Sequence, residues 1–111
     1  MIRHIVMLGL QDGADMAELQ AVMDGLAALD LPGFVAFEHG PNIDLEGKTP
    51  NHPYGFIGTF VDQSALETYA ADPVHQALGA RLVVLCGGGE RIMVIDLVVA
   101  GNADTAEARA Q

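Results

Sequence analysis

The order in which two hydrophobic periodicities alternate along this chain is the feature that most limits its fold. Four short segments have the composition of β-strands: residues 2–10, 34–40, 54–61 and 91–99. Residues 16–30 and 74–85 carry apolar side chains at helical spacing, and a capping box of Ser64 and Glu67 starts a short helix over 64–71. The resulting order is β-α-β-β-α-α-β. It predicts an α+β fold of the ferredoxin-like, split βαβ type, with a four-stranded antiparallel sheet and its helices on one face.

Several of the predicted strands are apolar on both faces, although the helices of this fold cover only one face. In the first strand, Ile2, Val6 and Leu8 share one face, while Ile5 and Met7 share the other. An apolar face that no helix covers is normally covered by another molecule, and the simplest such molecule is a second copy of the chain. The sequence therefore predicts a homodimer.

The composition fits one globular domain and excludes several classes of partner. Half of the 111 residues are apolar, so we expect one domain over residues 1–100, followed by a flexible tail over 101–111. The formal net charge of −10 argues against nucleic acid and anionic membranes as partners. No apolar run has the length of a membrane span, and a single cysteine, Cys86, gives no disulfide framework. These features predict a cytoplasmic protein.

The stretch from Tyr69 to His75 joins two predicted helices and supplies a tyrosine and a histidine. Asp72 and Pro73 have the residue types of an N-cap and a first helical position, because aspartate accepts from free amide groups and proline has none. His75 then lies in the first turn, where the positive helix end disfavours an imidazolium. We expect a neutral His75 that acts as a general base or metal ligand, or one that only packs at the junction.

Two polar residues interrupt apolar strands. His4 lies on the same face of the first strand as Ile2, Val6 and Leu8. It is either a pocket residue or a core residue whose hydrogen bonds are satisfied. Asp96 interrupts the fourth strand, and we expect it to form a structural ion pair with Arg91 or Arg3, in preference to acting as a catalytic acid.

Residues 41–53 form a loop of the length at which loops are usually functional or mobile, and we expect this loop and the tail to be the most mobile parts. His39 and His52 could approach each other near this loop. Two histidines without a carboxylate at ligand spacing indicate solvated side chains more than a metal site.

Three features together resemble the stress-responsive dimeric α/β-barrel (Dabb) domain family. These are Arg3-His4-Ile-Val-Met at the start, the split βαβ order, and Tyr69 followed by Asp72-Pro73-Val-His75. The resemblance covers about residues 1–99 and implies a ferredoxin-like monomer whose sheet pairs with another to form a barrel-shaped dimer.

The resemblance also implies chemistry, because one family member, the plant olivetolic acid cyclase, closes a polyketide ring by aldol condensation. By this similarity His75 is the base, Tyr69 assists it, and His4 lines the pocket. The cyclase has a histidine where this chain has Asp72, which we include with His4 as a substrate-binding candidate. The implied ligand is a small hydrophobic or aromatic molecule between sheet and helices, turned over without a cofactor. The alternative is a non-catalytic dimerisation or stress-protective module.

Similarity to plant members further implies a magnesium ion bound by the backbone carbonyls of Ala28, Leu31 and Phe34. Carbonyl ligands leave no side-chain pattern, so this implication depends on the resemblance alone.

Overall fold

The computed structural model describes residues 1–100, so the predicted flexible tail lies outside the described residues. The predicted element order is confirmed. The strands are β1 (Ile2–Leu8), β2 (Phe34–Pro41), β3 (Tyr54–Phe60) and β4 (Ile92–Val98). The helices are α1 (Met16–Ala27), α2 (Gln63–Ala71) and α3 (Pro73–Cys86), with a 3-10 turn at Gly89–Arg91.

The four strands form one antiparallel sheet in the order β2-β3-β1-β4, as the ferredoxin-like prediction requires. Strand β1 lies in the interior of the sheet and sets the register for both of its neighbours. His4 lies opposite Gly58 on one side and Asp96 on the other. Since directly opposed residues point to the same face, Asp96 is on the helix-covered face together with His4.

The core lies between this face of the sheet and the helices. Its larger part joins β1 and β3 to α1 and α3, and is built from Val6, Leu8, Leu19, Val22, Met23, Leu26, Phe56, Leu78, Leu82, Leu85 and Cys86. A smaller part contains Ile2, Phe60, Ala65 and Tyr69, and it fixes α2 to the sheet. Cys86 is free and buried.

The junction between α2 and α3 has the structure that Asp72-Pro73 predicts. The Asp72 backbone is extended, and its carboxylate accepts from the His75 amide at 2.9 Å. The same residue ends α2, because its own amide donates to the Tyr69 carbonyl oxygen at 3.1 Å. Helix α3 ends at Gly87, whose positive φ of 80° is a conformation that glycine adopts at low cost.

The loop between β2 and β3 contains a network of hydrogen bonds around Asp44. One oxygen of this carboxylate accepts from the amides of Lys48 and Thr49, each at 2.8 Å, and from the Thr49 hydroxyl at 2.9 Å. Asn42 donates to the Thr49 hydroxyl and to the His52 carbonyl. Ile43 and Leu45 are largely exposed, so polar contacts and not apolar packing fold this loop.

The face of the sheet opposite the helices, here called the open face, has no covering element among residues 1–100. Register places Ile5 beside Ile57 and Ile95, and Met7 beside Met93. Leu97 completes this apolar surface beside Arg3. Within residues 1–100, no helix is both long enough and apolar enough to cross a membrane.

Candidate functional site

Tyr69 and His75 are brought into direct contact by the break between α2 and α3. Their ring centroids are 4.0 Å apart, with an angle of 37° between the planes. The contact follows from the chain geometry, because the Asp72 cap turns the backbone between the two residues and starts α3 with His75 in its first turn. The local pattern in the sequence thus correctly placed both side chains at one junction.

His4 reaches the same place from the centre of the sheet. Its ring centroid is 5.6 Å from that of Tyr69, in an edge-on arrangement. His4 therefore shares a surface with Tyr69 and His75, although more than sixty positions separate it from them in the chain. We call this group the His4–Tyr69–His75 cluster.

Two polar atoms of the cluster are buried without a hydrogen-bond partner in the described structure. They are the Tyr69 hydroxyl oxygen and Nδ1 of His75. Most buried polar groups in folded proteins have a partner, and an unpaired one lowers stability. Tyr69 as a whole is only 1% exposed, which leaves its hydroxyl no access to bulk water. The cluster thus carries hydrogen-bonding capacity that the fold does not use.

Burial sets the protonation states of both residues. Burial raises the pKa of Tyr69 far above its usual value, so the phenol stays protonated. Burial also lowers the pKa of His75, and the neighbouring His4 lowers it further, while a polar contact with the Ala70 backbone and the Asp72 carboxylate raise it. The Ala70 contact does not have the geometry of a hydrogen bond, so Nδ1 of His75 still lacks a partner. This is the direction that the sequence predicts for His75, and its first cause is desolvation by burial.

The expected ion pair of Asp96 with Arg91 or Arg3 is wrong. Asp96 Oδ1 lies 2.6 Å from Nδ1 of His4, whereas Arg91 donates from Nε to the Gly9 carbonyl oxygen and Nε of Arg3 is buried without a partner. The contact arises because β1 and β4 pair with His4 opposite Asp96. A carboxylate oxygen accepts, so Nδ1 of His4 is the donor in this contact, and in the matching neutral tautomer Nε2 is an acceptor.

Asp72 uses part of its hydrogen-bonding capacity to cap α3. Its Oδ2 accepts from the His75 amide, so this carboxylate acts first as a structural group. A contact between Asp72 and a substrate remains a prediction, and it would have to use the remaining lone pairs of the carboxylate.

The other histidines do not form a metal site. Nδ1 of His39 lies 2.7 Å from the Tyr54 hydroxyl. Within the part of the chain that the structure describes, no group of three His, Cys, Asp or Glu residues could hold a metal ion.

The implied magnesium ligands lie where α1 ends and β2 begins. The Leu31 carbonyl oxygen already accepts from the Phe34 amide at 3.1 Å, which closes the turn around Pro32 and leaves one lone pair for a cation. With Ala28 it offers only neutral oxygens, and magnesium normally takes at least one carboxylate. The residues therefore fit the ion poorly, and we assign it no role.

Two depressions in the described surface lie away from the cluster. One, of about 340 Å³, is on the open face and is lined by Ile5, Met7, Ile57 and the edge of β2. Another, of about 600 Å³, lies between the β1–α1 connection and Tyr54. Neither is lined by Tyr69 or His75, which instead pack closely against each other.

The fold and the cluster define a small ferredoxin-like domain with a histidine–tyrosine group beneath its helix junction. The profile of the stress responsive A/B barrel domain family matches residues 2–99, and the chain belongs to this family. A comparison with curated proteins gives no match.

Solved structures with the same fold include a relative of considerable sequence identity. A dimeric ferredoxin-like protein of unknown function from Jannaschia sp. CCS1 is 44% identical, with a TM-score of 0.79, over 88% of this chain and 98% of that one. A protein from Arabidopsis thaliana is 21% identical, with a TM-score of 0.75, over 92% and 98% of the two chains.

A hydroxynitrile lyase from Passiflora edulis is also similar in structure. It is 13% identical, with a TM-score of 0.75, over 91% of this chain and 94% of the lyase. At this identity, the likeness concerns the fold alone.

Proposed function

We propose that this protein is a homodimer in which each subunit binds a small carbonyl compound at the His4–Tyr69–His75 cluster. The observation that carries the proposal is the pair of buried atoms without partners, the Tyr69 hydroxyl and His75 Nδ1. A ligand that supplies one acceptor and one donor or acidic proton would satisfy both. Stability alone gives no reason to keep two such groups side by side.

The chemistry that these groups support is proton transfer next to a carbonyl group. A neutral His75 can accept a proton from the carbon beside the carbonyl. The protonated Tyr69 hydroxyl can donate a hydrogen bond to the carbonyl oxygen, where negative charge develops. His4, with Nδ1 directed to Asp96, offers Nε2 as a further acceptor for a substrate hydroxyl. None of these roles requires a cofactor.

Ligand entry requires the cluster to open, because Tyr69 is packed under the helices. The junction between α2 and α3 is the natural place for this movement. It is a helix break held by the Asp72 cap, and α2 is fixed to the sheet only by the smaller part of the core. A helix with few buried contacts opens at lower free energy than the rest of the domain.

The open face and the relative from Jannaschia support the proposal that this protein is a homodimer. That protein is described as dimeric, and its structure is covered almost completely by this chain. The apolar surface around Ile5, Ile57 and Ile95 is the part of this chain that a second copy would cover.

A non-catalytic module is the second candidate, and the aromatic packing around Tyr69 favours it. The Tyr69 ring centroid lies 4.9 Å from that of Phe60 and 5.4 Å from that of Phe34. In a non-catalytic module, Tyr69 would be a core residue that fixes α2 to the sheet, and His75 would fill the space beside it.

A thermal-shift screen with small aromatic and aliphatic keto acids separates the two candidates. A ligand at a concentration 100-fold above its Kd stabilises the fold by about 2.7 kcal/mol, which raises the Tm by on the order of 10 °C. We expect at least one compound to do this for the wild type and to lose the effect with His75→Ala. His52→Ala, outside the cluster, is the matched control and should keep the response. Equal responses of all three proteins would place binding elsewhere and contradict the proposal.

A further inference from the structure

Strand β4 is exposed on both of its faces, which is unusual for a strand rich in large apolar residues. On the open face, Met93, Ile95 and Leu97 are all more than 40% exposed. On the helix side, Val94 is also exposed, and Val98 is 80% exposed. The helices extend over β1, β3 and Ile92 at the start of β4, but they leave Val94, Asp96 and Val98 exposed on their own side of the sheet.

Because β4 is an edge strand, its exposed apolar side chains create a risk of aggregation. It is the edge strand beside β1, so its outer row of backbone groups has no neighbouring strand within residues 1–100. Natural proteins protect apolar edge strands with charges, prolines, bulges or a covering element. Strand β4 contains a single charged residue, Asp96, and has no proline. It also pairs with β1 without a bulge, so a covering element is the main remaining means of protection.

Asp96 lies on the helix side between Val94 and Val98, and its carboxylate contacts Nδ1 of His4. The Asp96 side chain is 43% exposed, while the His4 side chain is 13% exposed. A carboxylate at the centre of an apolar contact is tolerated when it already has a hydrogen-bond partner. The His4 ring supplies that partner, so the carboxylate keeps a hydrogen-bond donor when this face of β4 is covered.

We propose that the second subunit of the dimer wraps around β4 and covers its helix side as well as the open face. This rests on the dimer of the proposed function and extends it. The occupant is a second copy because the two apolar faces meet at the same edge strand, so one partner can cover both. The contact on the helix side encloses Asp96 and thereby completes the surroundings of the His4–Tyr69–His75 cluster, which one subunit leaves open to water at Asp96.

Two valines with similar exposure provide a matched test. Val98 is 80% exposed on the helix side of β4, and Val84 is 74% exposed on α3. In an isolated subunit, aspartate at either place would remain in water, so both variants should fold. In the proposed dimer only Val98→Asp buries a new unpaired charge, and we expect it to raise the dimer dissociation constant by about 100-fold or more. Val84→Asp should leave the dissociation constant unchanged.

Analytical ultracentrifugation of the full chain and both variants gives the result. A wild-type dimer that persists unchanged in Val98→Asp would overturn this inference and leave the dimer itself intact. A monomeric wild type would instead overturn the proposed function. If residues 101–111 of the same chain cover β4, Val98→Asp will lower the Tm without dissociating the dimer, which also contradicts the proposal.

Proton exchange at His4 supplies a second measurement that needs no variant. In the proposed dimer the proton shared by His4 and Asp96 is shielded from solvent, so its NMR signal should persist at concentrations above the dissociation constant. Dilution below that constant should broaden the signal through exchange with water. A signal that is independent of protein concentration while the dimer dissociates would show that the partner does not cover Asp96.

Discussion

At the scale of single residues, the cluster depends on side chains that serve more than one element. Asp72 ends α2, starts α3 and thereby sets His75 beside Tyr69. His4 joins the cluster to the sheet, and Asp96 fixes the tautomer of His4 through Nδ1. Each of these contacts satisfies a polar group, and the Tyr69 hydroxyl and His75 Nδ1, which have no partner, are the atoms that we propose bind a ligand.

The lowered pKa of His75 predicts a pH dependence of stability with a definite sign. Because the folded-state pKa lies below the unfolded value of about 6.5, the unfolded state binds more protons between the two values. The contribution of neutral His75 is therefore fully present above about pH 6.5 and is lost as the pH falls through the lowered pKa. We expect His75→Asn to flatten the pH dependence of Tm in this window. An identical slope in both proteins would contradict the account.

At the scale of elements, the loop between β2 and β3 is folded by hydrogen bonds to one carboxylate. The sequence predicted its location from its prolines and glycine, but the Asp44 contacts depend on the path of the loop and have no periodic signature. Asp44 has a positive φ of 44°, which is uncommon for a residue other than glycine. The three hydrogen bonds to its carboxylate offset that conformation.

This arrangement predicts how the loop responds to substitution and to acid. The Thr49 amide and hydroxyl and the Lys48 amide hold the pKa of Asp44 below its usual value, with the Thr49 amide as the main cause. The loop should therefore stay ordered above the unfolded pKa of about 3.9 and loosen as the pH falls through the lowered value. At neutral pH, Asp44→Ala should speed amide exchange at Thr49, whereas Asp44→Asn, which keeps an acceptor oxygen, should change it less. Fast exchange throughout 41–53 in the wild type would support the mobile loop that the sequence predicts.

At the scale of the whole molecule, the fold was more predictable from sequence than the site. The element order follows from local periodicity and from the cap at Asp72, and it is reproduced within a few residues at each end. The partner of Asp96 could not be predicted from local sequence, because His4 is 92 positions away and contacts Asp96 only through the pairing of β1 with β4. The close packing of Tyr69 under the helices likewise depends on tertiary contacts that a sequence pattern does not contain.

The open face predicts the oligomeric state. Ile57 lies beside Ile5 near the middle of this surface. In the dimer, aspartate at position 57 would bury an unpaired charge, and we expect Ile57→Asp to be a monomer in light scattering at micromolar concentration. Val84→Asp, on α3, is the control and should remain dimeric. A dimer that withstands Ile57→Asp would mean that the subunits associate through another surface.

The free energy of unfolding of Tyr69→Phe tests most directly whether the cluster is built for a ligand. This variant removes the buried hydroxyl without a partner and keeps the ring that packs against Phe60. If the hydroxyl serves a ligand, its removal relieves a desolvation cost on the order of 1–3 kcal/mol, so denaturant unfolding of the free protein should give equal or higher stability. A loss of about 1 kcal/mol or more would show that the hydroxyl stabilises the fold, and would contradict the account.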